Sequence, residues 1–98
     1  MKIYLAPAMI LRALLTDPDI PRYGMSLMAE TGIQTGTLYP LLAKLKDQGL
    51  VTSEREQVDM RVVKRPPRIF YKLTPAGITY ARTELTELAD WLRPPAVT

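Results

Sequence analysis

Gly36-Thr37-Leu38-Tyr39-Pro40-Leu41-Leu42-Ala43-Lys44-Leu45-Lys46-Asp47-Gln48-Gly49-Leu50-Val51 is the stretch on which the reading of this chain turns. At 100° per residue, Leu38, Leu41, Leu42 and Leu45 fall within about 100° of arc, so they share one face of a helix and pack inward. The opposite face holds Gly36, Pro40, Ala43, Lys44 and Asp47, flanked by Thr37 and Tyr39. Thr35 or Thr37 is expected to cap the start, because a threonine oxygen accepts from a free N–H two or three residues on. Pro40 lies in or just after the first turn, where its missing N–H costs little. Gly49 ends the helix and Leu50-Val51 opens a strand. A rod anchored by its leucines leaves a small, hydroxyl-bearing and cationic side free, which suits entry into a major groove. An ordinary amphipathic helix with a solvated polar face has the same pattern, so the neighbouring segments must decide.

Upstream, Met9, Ile10, Ala13 and Leu14 recur at helical spacing and predict a helix over 5–16. It ends before Asp17-Pro18, since the residue before proline is biased out of the α region. A second helix is predicted over 23–31, with Met25, Leu27, Met28 and Ala29 as its apolar material and Gly32 as its stop. The third helix covers roughly 35–48. Downstream, Leu50–Val58 and Ile69–Leu73 read as partner strands, joined by an Asp59–Arg68 loop that Pro66-Pro67 stiffens. Thr74-Pro75 is a cap followed by proline at the first helical position, so a last helix runs from there to about Leu92. Pro94-Pro95 stop it, and Ala96-Val97-Thr98 are expected to fray. The order predicts a mainly α fold with a two-stranded β-wing. Residues 1–74 form a winged helix-turn-helix, 75–93 a dimerisation helix and 94–98 a frayed tail.

Net charge is +3, from 13 basic and 10 acidic residues, and it is unevenly placed. Residues 60–72 carry Arg61, Lys64, Arg65, Arg68 and Lys72 with no acidic residue among them. Such a basic hairpin tip releases counterions from a DNA backbone or enters the minor groove. The plain alternative is a solvated loop, or a charged guard against edge-to-edge strand pairing. Its position just after a plausible recognition helix favours DNA. Arg55 and the Glu54/Glu56 pair read as decoration of the strand.

In the last helix, Ile78, Ala81, Leu85, Leu88 and Leu92 recur at intervals of 3, 4, 3 and 4. That is an a/d seam. It packs either on the first helix of its own domain or on a second copy, with Trp91 and Leu92 joining the interface. The dimer is the favoured reading, because two recognition helices related by a two-fold axis match a palindromic site. Trp91, the only tryptophan, is read first as a core or interface anchor and second as a stacking surface for a small aromatic ligand. Met9, Met25, Met28 and Met60 are read as gap-fillers.

Several classes are excluded or disfavoured. Without cysteine there are no disulfides or thiolate metal sites, and without histidine there is no imidazole acid–base chemistry. Neither Asp17/Asp19 nor Glu84/Glu87 has a reason to be buried, and no glycine loop cradles a phosphate. An enzyme is not expected, nor a cofactor, nor a metal. The apolar run Ile3–Leu15 is broken by Pro7 and Arg12 and lacks a cleavage site, and no stretch approaches the roughly 18 apolar residues of a membrane span. The expectation is a soluble, cytoplasmic domain.

The chain resembles the PadR-like transcriptional regulators. The matching residues are Tyr23-Gly24 with Leu27, Gly36-Thr37-Leu38-Tyr39-Pro40-Leu41-Leu42 with Leu45, Gln48-Gly49-Leu50-Val51, and Tyr71-Lys72-Leu73-Thr74-Pro75-Ala76-Gly77. They cover roughly residues 8–82. Pro21-Arg22 and Lys46-Asp47-Gln48 depart from the family's pattern. The resemblance implies a winged helix, a homodimer through the C-terminal helix and operator binding, usually as a repressor. In many members a small molecule causes release. DNA contact is thereby implied for the third helix (Thr35, Gly36, Thr37, Tyr39, Lys44) and for the wing (Arg61, Lys64, Arg65, Arg68). The implied interface is Ile78, Ala81, Leu85, Leu88, Trp91 and Leu92, with Trp91 as the possible effector contact. The expected function is therefore a homodimeric regulator of double-stranded DNA, its third helix in the major groove and its wing on the backbone. The alternative is a winged-helix protein-interaction module that needs no basic wing.

Overall fold

The structure, a computed structural model, describes residues 5–96. Met1 to Tyr4 at one end, and Val97 and Thr98 of the expected frayed tail, lie outside the described residues. Three helices come first: α1 (Leu5–Thr16), then a two-residue strand β1 (Arg22–Tyr23), α2 (Gly24–Thr31) and α3 (Thr35–Asp47). They are followed by β2 (Val51–Arg55), a one-turn helix α4 (Met60–Val63), β3 (Ile69–Leu73) and α5 (Pro75–Leu92).

The sheet has three antiparallel strands in the order β1-β3-β2, where the sequence led us to expect two. Val51 faces Leu73, Ser53 faces Tyr71 and Arg55 faces Ile69, while Tyr23 of β1 faces Phe70. Two residues are too few for a period-of-two pattern, so β1 leaves no trace in the alternation of the sequence. Strand β2 is shorter than the expected Leu50–Val58. The expected Asp59–Arg68 loop also contains α4. Its cap is Asp59, whose carboxylate accepts from the Arg61 N–H at 2.9 Å. Lys64 closes that turn in the left-handed conformation, φ 56°, with its N–H on the Met60 carbonyl at 2.8 Å.

The core is built where the leucine face predicted it. Leu38, Leu42 and Leu45 are buried with Ile10, Leu11, Ala13 and Leu14 of α1, Leu27 of α2, Val51, Leu73 and Ala81. Leu41 is only partly buried against this cluster. Gly32 and Gly49 both sit at φ 75°, the left-handed region that terminates α2 and the turn after α3. The start of α3 differs from expectation. Neither Thr35 nor Thr37 caps it; Gln34 occupies the cap position in an extended conformation and makes no side-chain cap bond. Its carbonyl accepts from the N–H groups of Thr37 and Leu38 at 3.0 and 2.8 Å.

One joint ties the C-terminal helix to the end of α3. The Thr74 N–H donates to the Leu50 carbonyl at 3.0 Å, and its hydroxyl donates to the Gly49 carbonyl at 2.7 Å. The same hydroxyl oxygen accepts from the Gly77 N–H at 3.0 Å, capping α5. Thr74→Ala removes both hydroxyl bonds, the cap among them, and is expected to cost about 1–2 kcal/mol in urea unfolding. Arg22 makes a second tie. Its guanidinium reaches the Ala13 carbonyl at 3.4 Å, Ser26 Oγ at 3.0 Å and Glu30 at 2.8 Å, joining α1, β1 and α2.

Candidate nucleic-acid interface

With its leucines buried, α3 turns Thr35, Gly36, Thr37, Tyr39, Pro40, Ala43, Lys44 and Asp47 outward. The first turn carries no acidic residue, so nothing there repels an anion from the positive end of the helix. Lys44 is exposed. Lys46 is tied down instead, with Nζ on Ser53 Oγ at 2.6 Å, which fixes the last turn of α3 to β2. Tyr39 is exposed at its rim, but its ring and hydroxyl rest on Gly24. A β-carbon there would overlap the ring. Tyr39 therefore braces α3 against the start of α2, a contact the sequence does not announce.

The wing is less free than its charge count suggests. Arg65 is clamped to Glu56, with Nη1 on Oε1 at 2.6 Å and Nη2 on Oε2 at 3.3 Å. Reading Glu56 as strand decoration is thus corrected: it lies past the end of β2 and gathers in the loop. The Arg65 guanidinium is the main cause holding the Glu56 carboxyl below its ordinary range, and the Arg68 N–H adds to the effect. The same pairing pushes Arg65 up. Arg68 lies over the Tyr23 ring, 4.6 Å from its centre, and Tyr23 in turn meets Phe70 edge-on at 5.9 Å. Arg61 pairs with its own neighbour Asp59 at 3.3 Å, though the Arg61 side chain stays 91% exposed. That local pair lowers the Asp59 pKa. Lys64 is exposed at the end of α4, and Lys72 is half-buried in β3.

The α5 seam divides. Ala81 is 0% exposed and belongs to the core of its own chain. It has no surface to give a second copy, and the interface expectation for it is corrected. Ile78 and Leu85 pack against the same core, and α5 lies along α1. Leu88 is half-buried. Beyond it Trp91 and Leu92 stand 71% and 70% exposed. An alanine fits a close helix crossing in either setting, so the 3-4 spacing could not separate the two partners. Among the described residues no cluster of Asp and Glu could hold a metal, and no helix is long and apolar enough to cross a membrane.

Two helices joined through Gly32, a third helical support, a basic hairpin and a sheet of three short strands define a winged helix-turn-helix. The chain belongs to the PadR-like family of transcriptional regulators, whose sequence profile it matches over residues 13–83. It is 43% identical over 60 residues to the transcriptional regulator Rv3488 of Mycobacterium tuberculosis. That match covers 58% of this chain and 51% of the relative, so it spans about half the length of that protein. A PadR-like transcription factor from Bacteroides fragilis superposes with a TM-score of 0.66 at 26% identity, covering 91% of this chain and 90% of the other. The reduced form of AbfR, a Staphylococcus epidermidis protein solved bound to DNA, superposes with a TM-score of 0.71 at 23% identity. That alignment covers 96% of this chain and 61% of AbfR, and at this identity the likeness is one of fold.

Proposed function

We propose that this chain is a homodimeric, sequence-specific regulator of double-stranded DNA that acts as a repressor in the cytoplasm. One observation carries the reading: in a chain of a regulator family, α3 is held by buried leucines while Thr35, Gly36, Thr37 and Lys44 stay exposed on its other side. In this reading α3 enters the major groove. The hydroxyls of Thr35 and Thr37 and the N–H groups of Thr35 and Gly36 meet phosphate, Tyr39 adds its exposed rim, and Lys44 meets a phosphate or a guanine edge. The wing rests on the backbone through its basic residues. A second copy meets the exposed end of α5 at Leu88, Trp91 and Leu92, and the two α3 helices then read a palindromic operator. Trp91 offers a flat surface on which a small aromatic effector would stack.

Lys44→Ala is expected to weaken duplex binding by about 1–3 kcal/mol, while leaving urea unfolding within about 0.5 kcal/mol of the parent. Titration of an operator fragment selected from a random duplex pool, followed by sedimentation, measures the loss and the stoichiometry. Two chains per site with the stated loss support the reading. Affinity untouched by Lys44→Ala, or one chain per site, defeats it.

A further inference from the structure

By charge alone, Arg61, Lys64, Arg65 and Arg68 are equivalent; by geometry they are not. The Glu56–Arg65 pair is a planar fork meeting two carboxylate oxygens, with the Glu56 side chain only 19% and the Arg65 side chain only 32% exposed. Glu56 Oε1 also accepts from the Arg68 N–H at 3.2 Å, and the Glu56 N–H donates to the Arg68 carbonyl at 2.8 Å. Arg65 Nη1 adds a bond to the Pro66 carbonyl at 3.2 Å. Residue 56 and residues 65–68, the two ends of the connector, are thereby stitched together below α4. The stitch also fixes the backbone from which Arg68 reaches over Tyr23. Among the described residues Lys64, on the turn above, has no such anchor. Arg61 does fork onto Asp59, Nε on Oδ1 and Nη2 on Oδ2 at 3.3 Å each, but its side chain is 91% exposed, so a phosphate displaces that pair at little cost.

We propose that Glu56 and Arg65 form an internal clasp: Arg65 is a positioning residue that shapes the wing, and Lys64 and Arg61 carry the wing's phosphate-binding charge. Moving Arg65 onto a phosphate would strip the Glu56 carboxylate of its counter-charge and leave that negative charge facing a polyanion. Lysine cannot replace arginine in the clasp, because an ammonium does not offer two parallel donors. On a phosphate it can. The role of Lys64 and Arg61 rests on the DNA-binding reading above, whereas the clasp is a property of the free chain.

Two measurements separate these. In the free protein, the Arg65 guanidinium protons are expected to exchange slowly by NMR and to exchange fast in Glu56→Ala. Equal exchange in both proteins overturns the clasp. For DNA, the affinity is measured across 50–200 mM salt. Lys64→Ala is expected to flatten the log–log salt slope by about 0.9, the value of one lost phosphate contact. Arg65→Lys is expected to weaken binding by about threefold at every salt concentration with the slope unchanged. If Arg65→Lys binds like the parent while Arg65→Ala flattens the slope by about 0.9, Arg65 is a phosphate contact and the proposal falls. A parent protein with no salt-dependent duplex binding would refute the DNA-binding reading, and the exchange measurement would still decide the clasp.

Discussion

Leu42→Ala is expected to lower the unfolding free energy by about 3 kcal/mol. Leu42 is fully buried on the inner face of α3, in a core cluster that draws on α1, α2, the sheet and α5. Truncation there removes several buried carbons and leaves a cavity in that cluster. A domain of this size has roughly 5–15 kcal/mol in total, so the loss is a large share of what holds it folded. At about 4–8 °C per kcal/mol, the midpoint of thermal unfolding should drop by on the order of 12–24 °C. Urea unfolding with a matched thermal scan measures it. A loss below about 1 kcal/mol would mean that α3 is not anchored by its leucines. The contrast with Lys44→Ala, on the opposite side of the same helix, separates holding the helix from using it.

Gly77→Ala is the second large effect, and it reverses the usual rule. Glycine in a helix is ordinarily about 1 kcal/mol worse than alanine. At position 77 the added β-carbon would overlap the carbonyl oxygen of Leu50, and its carbonyl carbon stands just behind. Both are backbone atoms, and the same carbonyl accepts from the Thr74 N–H, so it cannot step aside without breaking that bond. The helix must lift off the turn instead. We expect a loss of about 3 kcal/mol. Gly36→Ala is the control, because a β-carbon there meets nothing within 4 Å. Urea unfolding of both variants tests the pair. Equal stabilities would show that α5 does not dock tightly on the turn.

Much of this was legible in the chain, for identifiable reasons. The leucine spacing of α3, the glycines at 32 and 49 and the Thr74-Pro75 start are local rules, and the fold obeys them. The sequence reading failed where the partner is distant or the element is short. Strand β1 is two residues long and exists only because Phe70 and Tyr71 lie beside it. The cap of α3 went to Gln34 through its backbone carbonyl, which no side-chain preference reports. Helix α4 did have a signal, an aspartate just before Met60, but four residues make too short a segment for a helical period to show. Glu56 lies nine residues before its partner, so the charge-neutralising contact appears only once the loop has folded back. Ala81 shows the limit of periodicity: the repeat says that a face is apolar and not whose surface it meets.

The division within α5 has one further consequence. Its first turns are bound to the interior through Gly77 and Ala81, whereas Trp91 and Leu92 contribute almost nothing to the fold of their own chain. Mutational drift at those last positions is therefore uncoupled from folding. With a second copy meeting α5 there, as proposed above, relatives sharing this scaffold could diverge in which chains they pair with by altering a single helical turn, and each would still fold.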